Sequence, residues 1–170
     1  MNISYRTLVA VDSRHYRDIR LESLKLHPES FASTFEEQSK LPKLMFEKAL
    51  EQPVDDRFVM GAFDQQTLIG MCGFIPVSSD HDDLRNAGAI IQMYVKPAYR
   101  GRKIGLGLIK AVLQEAFKLP GIDQIVLGVM KGNMSAIRVY EQAGFERYTP
   151  VGRETDVNQD ELRMIIRRAA

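Results

Sequence analysis

The stretch from Gln92 to Ala116, QMYVKPAYRGRKIGLGLIKAVLQEA, decides how the rest of the chain is read. It begins inside an apolar, β-branched run, Ile90, Ile91, Met93, Tyr94 and Val95, which predicts the end of a buried strand. Pro97 has no amide hydrogen to give a ladder, so regular pairing is expected to stop there. A basic turn follows, with Arg100, Gly101, Arg102, Lys103 and Gly105. Leu106, Leu108, Ile109, Val112, Leu113, Ala116 and Phe117 then recur at helical spacing.

A strand, a short cationic turn with glycine and a helix together suit an anion. The first amides of a helix lack partners within it, and the helix dipole adds positive charge at the same end. Glycine lets backbone approach a diphosphate closely, and Arg100, Arg102 and Lys103 add full charges. The same residues also suit an ordinary strand-to-helix turn with solvated basic side chains. Two other phosphate loops are excluded. No Gly-Lys-Ser/Thr occurs, as a Walker loop requires, and Gly105 and Gly107 give only G-x-G far from the first strand.

At 170 residues, one domain spanning 1–170 with a sizeable core is expected. Hydrophobic and charged contents of 45% and 26% are those of a globular protein. A net charge of +1 argues against a nucleic-acid surface, so the basic turn is a local feature fitted to one polyanionic ligand. The single cysteine, Cys72, excludes an internal disulfide framework and fits a reducing, cytoplasmic setting; its apolar neighbours predict a buried, inert thiol. No apolar run reaches the roughly 18 residues of a membrane span, and MNISYRTLVAVD lacks a signal-peptide core. His15, His27 and His81 are scattered without metal-ligand spacing, so no metal is expected.

Ser4 to Val11 reads as the first strand. Asp12 or Ser13 can cap a helix to about Lys25 whose apolar face is Tyr16, Ile19, Leu24 and Leu26. His27-Pro28 ends that helix, and HPESFASTFEEQ reads as a loop. Ser39 and Pro42 suit the start of a second helix, with Leu44, Met45, Ala49 and Leu50 as core candidates. Arg57 to Phe63 and Thr67 to Val77 form a hairpin about Asp64-Gln65-Gln66. After the long helix come a strand over Gln124 to Met130 and a short helix introduced by Asn133 and Ser135. That helix carries Ile137, Val139 and Tyr140 and ends at Gly144. Phe145 to Val151 and Leu162 to Ile166 form a closing strand pair. The order argues a mixed α/β fold: one central, mostly antiparallel mixed sheet of about seven strands flanked by about four helices.

These residues resemble the GNAT superfamily of acyl-CoA-dependent N-acetyltransferases in three places. The first is V-x-P-x-x-R-G-x-x-I-G, here Val95, Pro97, Arg100, Gly101, Ile104 and Gly105. The second is Asn133, with Tyr140 seven residues on, and the third is Y-x-x-x-G-F, here Tyr140, Gly144 and Phe145. The resemblance spans Gln92 to Phe145, and it implies acetyl-CoA as acetyl donor. Backbone of Met93, Tyr94 and Val95 would pair with the pantetheine arm as an added strand. Amides from Gly101 through Arg102, Lys103, Ile104 and Gly105 to Leu106 would hold the pyrophosphate. Asn133 would contact the cofactor, and Tyr140 would protonate the departing thiolate. The reaction implied is direct attack of a primary amine through a tetrahedral intermediate, with a strand amide near Met93 holding the oxyanion.

The chain departs from the family pattern at three positions. Many members have glycine where this chain has Lys103; a lysine still donates its amide there if φ is negative. Members with a carboxylate base often place it on one of the two central strands, where this chain has Ala89 and Gly128. The base is therefore a water chain, an amine that arrives neutral, or a carboxylate from elsewhere, with Glu36, Glu37, Glu154 and Asp156 as candidates. The rival function is a CoA-binding regulatory or sensing module with little turnover, favoured by the missing central carboxylates and opposed by Tyr140. An acceptor, either a small-molecule or a peptide amine, is expected between HPESFASTFEEQ and the closing hairpin. Glu36, Glu37, Asp80, Asp82 and Asp83 would make that neighbourhood favour a cation. Neither a nucleic acid nor a membrane is expected as partner, and a homodimer is left open.

Overall fold

The strand that leads into the basic turn is the fourth of seven. In the computed structural model, which describes residues 1–152 and 158–170, β1 is Ile3–Thr7, β2 Phe58–Asp64, β3 Thr67–Pro76 and β4 Ala87–Val95. After these come β5 Gln124–Met130, β6 Glu146–Arg147 and β7 Glu161–Arg167. The five α-helices among the described residues are α1 Ser13–Leu26, α2 Phe35–Ser39, α3 Met45–Glu51, α4 Ile104–Ala116 and α5 Met134–Gln142. One sheet holds all seven strands in the order β1-β2-β3-β4-β5-β7-β6. Only β4 and β5 run parallel; every other neighbouring pair is antiparallel.

Strand alternation sorts the core into two layers. Met60, Ile69, Cys72, Phe74 and Leu127 face α4 and meet its Ile104, Leu108, Ile109 and Val112. Val59, Phe63, Met71 and Tyr94 face the other way, toward Tyr16 and Ile19 of α1 and Phe46 of α3. Each such side chain taken fully from water contributes about 1.5–3 kcal/mol. Cys72 is fully buried, and burial pushes its thiol pKa far up, so it is packing and not a nucleophile. Among the described residues, no helix is long and apolar enough to cross a membrane.

Several elements differ from the sequence-based expectation. β1 stops at Thr7, because the Asp12 carboxylate accepts from the Val9 amide (2.8 Å) and from both terminal nitrogens of Arg6 (2.7 and 3.0 Å). Those bonds fold Ala10–Asp12 into a single 3-10 turn, so the carboxylate forms no side-chain cap on α1. The Arg6 hydrogen bonds also hold its pKa below the usual carboxylate range. Leu26 is exposed rather than part of the apolar face. The expected loop after Pro28 contains α2, started by a reciprocal cap between Thr34 and Glu37, and Ser39 ends this helix rather than opening the next. On α3 the buried anchor is Phe46, not its neighbour Met45. The closing hairpin is short on one side, with β6 contributing only Glu146–Arg147.

Candidate active site

β4 and β5 pair through just three residue pairs, Ala87 with Gln124, Gly88 with Ile125 and Ala89 with Val126. Beyond them the strands have no rungs in common among the described residues. A β-bulge against β3 turns the second half of β4, and Gln92 takes φ +56 within it. Tyr16 of α1 donates to the Gln92 side-chain oxygen at 2.6 Å and pins this turn. The gap so formed leads to the N-terminus of α4, the first element of a groove of about 820 Å³.

The groove is lined by Met93, Tyr94 and Val95 from β4, by Arg100, Gly101, Lys103, Ile104, Gly105 and Leu106 from the turn, and by Asn133 and Tyr140 from α5. His27, Glu29, Ser30 and Phe31 close it from the α1–α2 connection. Of the cofactor residues read from the sequence, only Arg102 is outside. Its guanidinium lies over the Tyr99 ring (5.9 Å) and toward the Met1 sulfur (3.1 Å), leaving its backbone as what it can offer the turn.

The α4 N-terminus has no side-chain cap, and its first intrahelical bond is from the Gly107 amide to the Lys103 carbonyl (3.1 Å). The amides of Ile104, Gly105 and Leu106 thus lack helical partners and suit an anion. Gly101 takes φ +75 and Lys103 φ +60. The negative φ required for Lys103 is therefore not what the turn uses; the position is left-handed, which costs a residue with a Cβ about 1–2 kcal/mol. That geometry explains a glycine preference there. Gly107 has a packing role: a Cβ on it would strike the Tyr5 hydroxyl, which donates to the Ile104 carbonyl at 3.4 Å.

Arg100 donates through Nε to the Val95 carbonyl (3.2 Å) and through a terminal nitrogen to His27 Nε2 (2.8 Å), so this ring nitrogen is the acceptor. The guanidinium therefore braces the turn against the end of α1. The Asn133 side-chain oxygen caps α5 by accepting from the Ala136 amide (3.3 Å), which leaves its NH2 for a ligand. Tyr140 is buried, edge-on to Phe145 at 5.9 Å, and its hydroxyl bonds to none of the described residues. Burial pushes its pKa well up, so the phenol keeps its proton throughout the neutral range.

The carboxylates expected near the acceptor do not line this groove. Glu37 is engaged in the α2 cap, Asp82 pairs with Arg85 (2.6 Å), and Asp83 accepts from the Tyr148 hydroxyl. Glu36 and Asp80 are exposed away from the lining. Glu154 and Asp156 lie outside the described residues. Ala89 and Gly128 bring no ionisable group, yet the open face of Gly128 is covered by the carboxylate of Glu161. Arg20 was not singled out by sequence either. It is buried on α1, with Nε and one terminal nitrogen lacking partners among the described residues, 4.8 Å from the Phe31 ring. Desolvation lowers its pKa. No group of three or more metal-ligating side chains is gathered among the described residues.

Comparison with known proteins agrees with this geometry. The N-alpha-acetyltransferase 30 of Dictyostelium discoideum is 26% identical over 142 residues, covering 78% of this chain and 76% of that protein. The spermine/spermidine N(1)-acetyltransferase of Bacillus subtilis is 27% identical over 89 residues, 51% of this chain and 58% of that one. In fold, the chain resembles the PaiA N-acetyltransferase of Thermoplasma acidophilum, solved in complex with coenzyme A, with a TM-score of 0.75 at 24% identity over 99% of this chain and 100% of the other. A sequence profile described as Acetyltransferase (GNAT) family matches residues 20–145. The chain therefore belongs to the acetyltransferase (GNAT) family of acyl-CoA-dependent N-acetyltransferases.

Proposed function

We propose that the chain transfers an acetyl group from acetyl-CoA to a primary amine by direct attack, with Tyr140 as general acid. The observation that carries this reading is the gap between β4 and β5. It opens at one end on uncapped helix amides and is flanked by a buried, protonated tyrosine. The donor set suits the cofactor: free amides and Lys103 for a diphosphate, and unpaired strand edges for an amide-bearing arm. Acetyl-CoA supplies an activated acyl carbon on a thiol leaving group. Backbone of Met93, Tyr94 and Val95 would hold the arm, while Gly101 to Leu106 and the Asn133 NH2 would hold the phosphates and their linker. An amide near Met93 stabilises negative charge developing on the carbonyl oxygen. The Tyr140 hydroxyl, with no competing partner among the described residues, gives its proton to the departing sulfur.

The acceptor class follows from the relatives and the local chemistry. An N-alpha-acetyltransferase and a spermine/spermidine N(1)-acetyltransferase are among them, which supports an amine acceptor. The α1–α2 connection brings Glu29 to the groove, a carboxylate that favours a cation.

Tyr140→Phe tests the reading. It keeps the ring and removes the proton. Thiol release should fall roughly 10–10³-fold in kcat with little change in acetyl-CoA affinity, the mark of an interaction made only at the transition state. Because the hydroxyl has no partner to lose among the described residues, the melting temperature should stay nearly unchanged. Unchanged kcat would return Tyr140 to a packing role. Binding of acetyl-CoA by the wild type without transfer to any amine would instead mark a sensing module.

A further inference from the structure

Gly128 stands on β5 where the resemblance calls for a carboxylate, and it has no side chain. The space is filled nonetheless. A Cβ built on Gly128 would run into the carboxylate of Glu161, which reaches over from β7. Glu161 pairs directly with Met130, and Arg163 pairs with Gly128. Leu162 and Met164, between and beyond them, pack toward α4, so strand alternation sends Glu161 and Arg163 to the opposite face. Met130 lines the groove, one cross-strand step from Glu161. The carboxylate thus stands over Gly128 of β5, a strand that borders the β4–β5 gap, on the face away from α4. Its side chain is 26% exposed, and one oxygen lies 3.6 Å from the Arg163 guanidinium, too long for a hydrogen bond but near enough to orient it.

We propose that Glu161 is the general base of the reaction, delivered from β7 into the space that Gly128 leaves on β5. This rests on the function proposed above. Tyr140 belongs to the α4–α5 face and Glu161 to the other, so acid and base flank the gap from opposite sides. Addition through a tetrahedral intermediate is compatible with that arrangement, since the nitrogen adds to one face of the acyl plane and the sulfur leaves as a separate substituent. An acceptor arriving as RNH3⁺ gives one proton to Glu161, which releases it to water. The freed lone pair forms the N–C bond, and the C–S bond breaks with its electron pair on sulfur. The second nitrogen proton goes to the regenerated carboxylate and on to solvent, while Tyr140 protonates sulfur and regains a proton from solvent. The sum is amide, free thiol and one proton released. Gly128 has a defined part in this: any side chain there would displace the carboxylate.

The test uses thiol release from acetyl-CoA with spermidine and with a short peptide bearing a free α-amine, whichever the wild type turns over faster. Glu161→Gln should lower kcat/KM roughly 10²–10⁴-fold near neutral pH while leaving acetyl-CoA affinity unchanged. The deficit should shrink as pH approaches the acceptor's own pKa, about 10 for an alkyl amine, because the amine then arrives neutral. Gly128→Ala should lower the rate in the same pH-dependent way. The pair Gly128→Asp with Glu161→Gly, which moves the carboxylate to β5, should recover at least about tenfold of the loss. A Glu161→Gln deficit that is absent, or constant across pH, overturns the base assignment and leaves Glu161 as a partner of Arg163. No transfer by the wild type to either amine, with acetyl-CoA bound, overturns the proposed function itself.

Discussion

On one face of the sheet, α4 buries Ile104, Leu108, Ile109, Val112, Leu113 and Ala116 against apolar strand side chains, with no charge among its buried residues. On the other, α1, α3 and the turn before them bury Asp12, Ser13, Arg20, Ser23 and Glu47, which are all the buried polar side chains among the described residues. Tyr16 bonds to Gln92, and Arg17 bonds to Glu47 at 2.8 Å and to the Leu41 carbonyl at 2.8 Å. The contrast separates two kinds of specification. The first face is held mainly by apolar area, and the turn before its helix offers free backbone amides. The second adds to its apolar core individual polar pairs, each fixing one side chain, and that is the face from which Glu161 projects.

The strongest way to break this contrast is Glu47→Ala. It leaves the Arg17 guanidinium with only its carbonyl partners and orphans the Leu44 amide, from which Glu47 accepts at 2.5 Å. Unfolding in urea should show a loss of about 3 kcal/mol, with turnover per folded molecule retained. A loss well below that would mean the polar pairs add little to the apolar packing of the α1–α3 face. Gly105→Val probes the other face. A side chain at 105 meets the flexible end of Met93 at 3.3 Å and Val139 at 3.9 Å, both bordering the groove. Calorimetric titration should give at least about tenfold weaker acetyl-CoA binding, and the melt should move little. Equal affinity would remove the turn from the binding site. The smallest effect is expected at Lys103, where glycine relieves the left-handed backbone but loosens the unfolded chain. Lys103→Gly should stabilise by about 0.5 kcal/mol and flatten the salt dependence of acetyl-CoA binding. A destabilised variant would show that the lysine side chain contributes more than its backbone loses.

The α4 face was largely legible in the sequence because its signals are local. The Ile90–Val95 run, Pro97, the glycines and the helical recurrence after Leu106 each act within a few residues. Gly144 ends α5 at φ +104, as its position suggested. The α1–α3 face was poorly legible for the converse reason. Asp12 turns the chain early because Arg6 is in reach, and Phe46 rather than Met45 is buried because of how α3 meets Tyr16, a ring contact of 6.0 Å. Thr34 and Glu37 do spell a capping box, a local signal that the loop reading passed over. Glu161 is separated from Gly128 by 33 positions and meets it only through strand pairing, so no spacing in the chain announces the carboxylate. Bare residues at 89 and 128 read as a missing base when the sequence is taken one strand at a time.

The short β4–β5 junction has a mechanical consequence. Strands β1 to β4 form one plate and β5 to β7 another, joined by three ladder pairs and, just before them, by the Asn86 carbonyl accepting from the Asp123 amide at 2.9 Å. A load that pulls the plates apart falls on those rungs and on the apolar contact of α4 with α5. An extended amide-bearing ligand in the slot would add rungs to both edges at once, acting as a splint as well as a cargo. The slot is then both the place where the two halves of the sheet part and the place where occupancy would join them again.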